Sequence, residues 1–372
     1  QCIATLNRIH SAPCHIRRTS LEELPSMTGH AESEEDPLLK KGQSPITRKI
    51  GDTVICCCLP PAMIAASATL IRTNQYLMQP DVFPYPFIMV IMHCIFCSLF
   101  GLLLLALKPA LFPALTDPDR KVELSASFYS RAILPIAICF AVSLVLSNMA
   151  YKYCTLAFLQ MLKESNIVNI YVMSLLAGIE KFSTGPAVIL VTMLLATWSC
   201  VEGELNFSLA GFLTQGTASL CEAAKTIFQC LVLSGPRRLD PLSTVLVVMP
   251  MCGFLLMTVV VFNNVVMPLS FVTQPHLSEI VAMRWYLALN ISNAFVLNVL
   301  IAMFLSYLSP VAYILTGNVK DIVIVLMSSW LMHETVSHMQ VFGFTVQICC
   351  VCAWSIAKQQ KQKSAEQSEE TN

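Results

Sequence analysis

Residues 86–107 read PFIMVIMHCIFCSLFGLLLLAL and contain no Asp, Glu, Lys or Arg. An α-helix rises about 1.5 Å per residue, so a stretch of this length spans the roughly 30 Å of hydrocarbon in a bilayer. A surface helix of a soluble protein would instead carry a polar face. The stretch therefore indicates a transmembrane helix.

The same pattern recurs along the 372-residue chain, which is 55% hydrophobic and only 12% charged, about half the charge of a soluble protein. Apolar blocks alternate with polar joints and cover 54–71, 86–107, 132–150, 155–177, 186–201, 209–233, 242–262, 286–308, 310–332 and 341–357. The sequence thus predicts an all-α membrane protein with ten transmembrane helices, embedded in a lipid bilayer. The count depends on splitting the chain at two short joints, near 151–154 and near 309. The net charge of +0 gives no reason to expect a nucleic-acid partner.

Basic residues are distributed unevenly between the joints. The joints 78–85, 202–208, 263–283 and 333–340 contain no Lys or Arg, whereas the tails and the other alternate joints contain most of them. The positive-inside rule therefore places both tails in the cytoplasm. Lys152, in a joint on the opposite side, is the clearest exception.

The predicted organisation follows from these blocks. Residues 1–50 are polar, carry both signs of charge and are expected to form a disordered cytoplasmic tail. Residues 51–357 form the ten-helix domain, with halves at about 51–201 and 202–357, and residues 358–372 form a second cytoplasmic tail.

Charged side chains inside the blocks are the most informative feature for function. A Lys or Asp at the centre of a spanning helix costs roughly 2.5–3.5 kcal/mol on insertion scales, so it faces a polar cavity or a partner. Lys163 and Glu164 lie in the fourth block, and Lys320 and Asp321 lie in the ninth. We interpret the two lysines as anion-binding groups in a central cavity. A structural ion pair with a neighbouring helix is the alternative.

The fourth and ninth blocks also suggest an internal repeat, because in each a basic residue is followed at once by an acidic one. The odd offset of five blocks predicts two inverted halves of five helices each, as in many secondary transporters. Adjacent side chains on a helix diverge by about 100°, so Lys163 is not expected simply to neutralise Glu164. A crosswise arrangement, with Lys163 near Asp321 and Lys320 near Glu164, stays open.

A second charged pair lies in the sixth block. Glu222 and Lys225 are one helical turn apart, close enough to interact. We expect a structural pair, and a role in coupling or gating is the alternative.

Three stretches resemble the nucleotide-sugar and triose-phosphate transporter family of the drug/metabolite transporter superfamily. Residues 147–178, SNMAYKYCTLAFLQMLKESNIVNIYVMSLLAG, are similar to its third-to-fourth span region, with a Tyr-rich joint before Phe158, Gln160 and Lys163. Residues 289–334 are similar to its eighth and ninth spans. The pattern E-x-N-F-x-x-x-G-F resembles its fifth-to-sixth joint and falls on Glu204, Asn206, Phe207, Gly211 and Phe212.

The resemblance implies a ten-helix antiporter in two inverted halves that exchanges a nucleotide sugar for a nucleoside monophosphate, or an organic phosphate for phosphate. A phosphorylated substrate and its counter-substrate are therefore the expected partners, and a homodimer is left open. The positions that the resemblance and the residue types assign to substrate binding are Lys163, Lys320, Asn318, Gln160, Tyr153 and Asn74. Glu164, Asp321, Glu222 and Lys225 are the expected coupling or gating charges.

The sequence departs from the family pattern at three positions. Gln75 stands where the family usually has a Lys after the Asn that matches Asn74. Asp321 stands where plastid triose-phosphate carriers usually have Arg, so a bidentate phosphate donor is missing. Glu164 adds a negative charge after Lys163. The missing Arg argues against a triose-phosphate substrate, and Glu164 argues against a strongly anionic one. The expected location is a Golgi or endoplasmic reticulum membrane rather than the plastid.

Other function classes remain as alternatives. A proton-coupled exporter of neutral or cationic metabolites would use Glu164 and Asp321, and a transport-inactive regulator would share the fold. An enzyme is not expected, because no nucleophile, glycine-loop or metal-site motif is present. No metal or cofactor is expected either, and the cysteines, including Cys94 and Cys97, lie mostly in apolar blocks as small hydrophobes. His93, alone in the second block, is expected to be structural.

Overall fold

The structure is a computed structural model that describes residues 45–232, 239–269, 271–308, 310–331 and 333–370. Most of the predicted N-terminal tail, the Arg237–Arg238 loop and the joint at 309 lie outside these residues. The described residues form helices joined by turns, with no strand among them. In chain order the described helices of six residues or more are α1 Pro45–Leu77, α2 Pro86–Leu107, α3 Leu134–Ala150, α4 Leu156–Glu164, α5 Asn166–Leu176, α6 Thr184–Glu202, α7 Leu209–Val232, α8 Pro241–Val265, α9 Leu277–Ala282, α10 Arg284–Tyr307, α11 Pro310–Leu331 and α12 His338–Glu370.

The helices follow the predicted apolar blocks. Among the described residues, six helical segments are long and apolar enough to cross a membrane: Pro86–Leu107, Ala126–Ala150, Thr184–Glu202, Pro241–Val265, Arg284–Phe304 and His338–Lys358. The other four blocks, which are the first, fourth, sixth and ninth, are also helical where the structure describes them. The last three of these contain buried polar and charged residues. The protein is therefore an all-helical, multi-pass integral membrane protein.

Two helix boundaries differ from the sequence prediction. Helix α1 begins at Pro45, within the predicted tail, because the polar residues before the first apolar block continue the same helix. Helix α12 continues to Glu370, through the predicted second tail, whose Lys, Gln, Glu and Ala residues are strong helix formers.

The fourth block is broken into two helices just after its charged pair. Thr155 caps the start of α4, where its hydroxyl accepts a hydrogen bond from the Phe158 N–H. Ser165 ends α4 and directs its hydroxyl back to the Leu162 carbonyl at 2.7 Å. Such a local side-chain bond competes with the helical ladder. Lys163 therefore occupies the last turn of α4, where a positive charge is stabilised by the helix dipole.

Helices of the two predicted halves pack against one another. Helix α7 packs on α3, α10 on α1, α8 on α2, and α12 on α6. Helix α11 packs on both α4 and α1. The close approach of α12 to α6 needs a glycine, since a Cβ on Gly343 would lie 2.6 Å from the Ala196 carbonyl oxygen.

Hydrogen bonds sort the joints into two groups. In one group, Lys152 Nζ donates to the Pro84 carbonyl at 2.6 Å. In the same group, the Tyr85 hydroxyl donates to Glu279 at 2.9 Å. In the other group, Asp240 caps α8 and also accepts from the Ala114 N–H at 3.2 Å. The first group therefore contains the joints before α2, α4 and α10, and the second contains those before α3 and α8.

Candidate substrate-binding site

Lys163 lies half-buried at the end of α4. Its ammonium group donates to the Tyr151 hydroxyl at 3.3 Å and lies 5.2 Å from the centroid of the same ring. Tyr151 is itself buried, at 7% exposure, so it fixes one side of the lysine. The recorded partner of Lys163 is thus a phenol rather than a carboxylate, so a further ligand can contact its ammonium group without displacing an acid.

Lys320 has a different partner. Its ammonium group lies 2.5 Å from the Asp321 carboxylate, and the two side chains are 10% and 3% exposed. The four-carbon stem of a lysine is long and flexible enough to reach the neighbouring residue despite the divergence of adjacent side chains. The recorded ion pair of the ninth block therefore forms between neighbours rather than crosswise.

Buried amides lie close to each lysine along the chain. Asn318 is 3% exposed, and its amide nitrogen donates to Cys352 Sγ at 3.2 Å. Among the described residues, its amide oxygen has no hydrogen-bond partner. Asn166, at the start of α5, accepts a hydrogen bond from Asn169 at 3.2 Å. Its amide nitrogen also has no hydrogen-bond partner within the described part of the chain. Buried polar atoms are usually satisfied, so such amides can contact a bound solute.

The other predicted site residues on α4 are buried. Gln160 is 1% exposed and Glu164 is 6% exposed, one on each side of the turn that carries Lys163. Tyr153 is instead 41% exposed and lies in the joint before α4, where it faces Gly211. The tyrosine that contacts Lys163 is Tyr151, whereas Tyr153 stays a predicted substrate-binding residue.

Asn74 belongs to a polar cluster between α1, α2 and α10. Fully buried Asn290 donates to the Asn74 side-chain oxygen and to the Thr73 hydroxyl, each at 2.7 Å. The Asn290 oxygen lies 2.5 Å from His93 Nε2. His93 is therefore hydrogen-bonded rather than alone on an apolar face, in agreement with a structural role. Sequence analysis singled out no role for Asn290, which stands in an apolar block.

Lys225 and Glu222 lie on α7. Lys225 is fully buried, and its ammonium group lies 4.4 Å from the centroid of the Phe140 ring on α3. A desolvated cation over an aromatic face is stabilised by the ring quadrupole. Glu222 is only partly buried. The position of Lys225 fits a structural role at the α3–α7 interface.

Two carboxylates converge on the first turn of α4. Glu334, from the joint before α12, accepts from the N–H groups of Leu156 and Ala157 at 3.1 and 3.2 Å. Glu204 accepts from Gln340 at 2.6 Å and from the Thr155 hydroxyl at 3.5 Å. Burial raises the pKa of Glu204, and the negative charge of Glu334 adds to the increase. Sequence analysis predicted no role for Glu334, because a lone acid in a polar joint is indistinguishable from a solvated one.

The chain was compared with known families and structures. The model of the Triose-phosphate Transporter family matches residues 65–355. The chain belongs to this family. Two Arabidopsis thaliana proteins, each described as a probable sugar phosphate/phosphate translocator, are 26% and 28% identical to it over 81% and 83% of this chain and 83% and 88% of their own length. One solved crystal structure aligns with 82% of this chain and 98% of its own at 14% identity and a TM-score of 0.48.

As a member of the triose-phosphate transporter family, the protein is a transporter rather than an enzyme, as predicted. The structure also explains why the family-like joint before α7 has its pattern. A Cβ on Gly211 would lie 2.2 Å from Cys154 Sγ, so only glycine fits. Phe207 stacks between Phe158 and Phe212, with ring centroids 6.4 and 5.9 Å away. These residues pack the joint against α4.

The described residues contain no group of three or more His, Cys, Asp or Glu side chains that could hold a metal ion. Twelve described cysteines carry free thiols, and Cys230 forms a disulfide. The candidate site residues include lysines, amides and a phenol, which can bind an anion through charge and hydrogen bonds.

Proposed function

We propose that the protein is an antiporter that exchanges a phosphorylated organic anion for a phosphate-containing counter-solute across an internal membrane. The observation that carries the proposal is the pair of lysines on packed helices, one on α4 and one on α11, in a chain of the triose-phosphate transporter family. Two cations in a low-dielectric interior provide the positive charge that a phosphoryl group needs.

The proposed architecture is ten spans in two inverted halves, with α4 and α5 together as one broken span. Helix packing supports it. Exchanging each span for the one five places later turns the contact of α3 with α7 into that of α10 with α1, and the contact of α3 with α8 into that of α10 with α2. Leu156 and Pro310, which begin equivalent spans, are also separated by the same number of residues as Thr184 and His338.

The two halves would place their lysines at similar depth. Helix α4 begins beside Glu334, which follows the end of α11, so the two helices run in opposite directions. At about 1.5 Å per residue, Lys163 lies roughly 10 Å from Leu156, and Lys320 lies roughly 16 Å from Leu331. The axial difference of roughly 6 Å allows one small anion to contact both.

The proposed topology has both tails in the cytoplasm, as the distribution of basic residues favours. Its clearest exception, Lys152, is half-buried, and its ammonium group is bonded to the Pro84 carbonyl. Burial lowers the pKa of Lys152. A lysine held in this way does not act as an exposed cytoplasmic anchor.

The solute is proposed from the relatives. Their description as probable sugar phosphate/phosphate translocators favours a sugar phosphate exchanged for phosphate. A nucleotide sugar exchanged for a nucleoside monophosphate is the second candidate, because Asp321 replaces the Arg of plastid triose-phosphate carriers and pairs with Lys320. The same replacement favours the Golgi or endoplasmic reticulum as the location.

Exchange in proteoliposomes tests the proposal. Uptake of labelled inorganic phosphate and of labelled sugar phosphates should be fast into vesicles preloaded with phosphate and slow into empty ones. A nucleoside monophosphate series tests the second candidate in the same vesicles. Equal uptake into loaded and empty vesicles, together with a strong response to a pH gradient, would instead support the proton-coupled exporter.

A further inference from the structure

Glu334 joins three parts of the molecule. Besides the two N–H groups of α4, its carboxylate accepts from Gln75 Nε2 on α1 at 3.0 Å and from the Ser328 hydroxyl on α11. A carboxylate on the first turn of a helix is stabilised both by the N–H groups and by the helix dipole. Glu334 is thus the centre of the hydrogen-bond network at the end of the bundle where α4 begins.

This network connects the two proposed halves. Helices α1 and α4 belong to the first half, whereas Ser328 and Glu334 belong to the second. An exchanger must open one end of its central site at a time, and in an inverted-repeat fold the two halves then move apart at that end. The bonds of Glu334 to Gln75, Leu156 and Ala157 cannot survive such a separation.

The contact between Glu334 and α1 joins a carboxylate to the uncharged amide of Gln75. Gln75 donates to the Glu334 carboxylate through its amide nitrogen and accepts from Arg72 through its amide oxygen at 3.1 Å. The nearest cation of α1 therefore reaches Glu334 only through the glutamine. A neutral donor makes a bond about half as strong as a charged donor would make to the same carboxylate.

We propose that Glu334 and Gln75 form a latch that holds this end of the bundle closed and that opens in each exchange cycle. The proposal rests on the proposed function, since only a carrier that alternates between two openings needs such a latch. The uncharged side chain of Gln75 makes this latch weaker than a lysine at the same position would make it.

Strengthening the latch is the sharpest test. Gln75→Lys places an ammonium group within reach of Glu334, and we expect phosphate homo-exchange at saturating phosphate to slow by about threefold to tenfold. The phosphate concentration at half-maximal rate should not rise, because the binding lysines are unchanged. Gln274→Lys is the matched control: it adds the same charge at the same end, on an exposed side chain that contacts Asn264 instead.

A second measurement follows the latch without transport. Cys154 packs its thiol against Gly211 of the second half, and burial raises the pKa of this thiol to about 11. Separation of the halves would expose it. Alkylation of Cys154 in the purified protein, located by peptide mass spectrometry, should be slower in Gln75→Lys and severalfold faster in Glu334→Gln than in the wild type.

The two measurements separate the latch from the proposed function. Slower Cys154 alkylation with unchanged exchange in Gln75→Lys would overturn the latch and reduce Glu334 to a structural cap. Unchanged alkylation in both variants would overturn it as well. A wild type that exchanges neither phosphate nor sugar phosphate would count against the proposed function, while the alkylation rates would still decide whether this end opens through Glu334.

Discussion

The two lysine–acid pairs look alike in the sequence and differ in the structure. Lys320 is paired with its own neighbour Asp321 inside an unbroken helix. Lys163 lies at the end of a short helix, faces a tyrosine hydroxyl and is partly exposed. The comparison indicates that the two lysines have different roles. Lys163 in the first half can interact with a ligand, whereas the charge of Lys320 in the second half is largely balanced by Asp321.

Lys163→Met should have the largest effect on transport. The variant removes the cation that is held by a neutral partner, and a charged hydrogen bond to a phosphoryl oxygen is worth roughly 1.5–3 kcal/mol. We expect phosphate-dependent exchange to fall about ten- to a hundredfold with normal protein abundance in the membrane, measured by quantitative immunoblot. Lys163→Arg should keep part of the activity, since the charge remains and the geometry changes.

Lys320→Met should affect abundance as well as transport. It removes a partner at 2.5 Å from a carboxylate that is only 3% exposed. Breaking a buried ion pair from one side costs roughly 3–5 kcal/mol, so the protein should be partly lost from the membrane. The double variant Lys320→Met with Asp321→Asn should recover abundance. If Lys320→Met is as abundant as Lys163→Met, the two lysines do not differ as the structure indicates.

Tyr151→Phe should have a smaller effect that is specific to the first half. The variant keeps the ring beside Lys163 and removes the hydroxyl that accepts its hydrogen bond. We expect the phosphate concentration at half-maximal exchange to rise about two- to fivefold, with little change in maximal rate. Tyr286→Phe, on an exposed ring that stacks with Tyr76, is the control and should behave as wild type.

The smallest effect concerns the carboxylates at the start of α4. Burial raises the pKa of Glu204, so the folded protein binds more protons than the unfolded chain at pH values above the ordinary carboxyl pKa. Stability is therefore lost as pH rises through the raised pKa. Between pH about 5 and about 8, the melting temperature of the wild type should fall relative to that of Glu204→Gln by about 1–3 °C. A constant difference across this range would contradict the assignment.

Much of the fold followed from the sequence, because membrane insertion imposes a simple rule on length and polarity. The apolar blocks predicted the helices, the family resemblance predicted a transporter, and both predictions are confirmed. Helices α1 and α12 extend beyond the apolar blocks, to Pro45 and Glu370, since helix formation does not stop where the apolar residues stop. The break at Ser165 was also missed, because it depends on one local hydrogen bond.

The site could be predicted only in part. Lys163 and Lys320 stood out because charge inside a span is costly, but their different partners depend on side-chain geometry that one sequence does not contain. Tyr151 and Asn290 each contact residues that are distant along the chain or on another helix, so the sequence does not show these contacts. Glu334 appeared to be an ordinary polar joint residue, and its role depends on the helix start that folding brings to it.

Ligand-induced stabilisation tests the central claim, that Lys163 binds the phosphoryl group, most directly. A ligand that binds the folded state raises its melting temperature in proportion to the logarithm of its concentration once above Kd. Purified wild type should show this rise with inorganic phosphate or a sugar phosphate. Lys163→Met should melt at the wild-type temperature without ligand and show no rise with it. A Lys163→Met protein that is stabilised as strongly as the wild type would contradict the account.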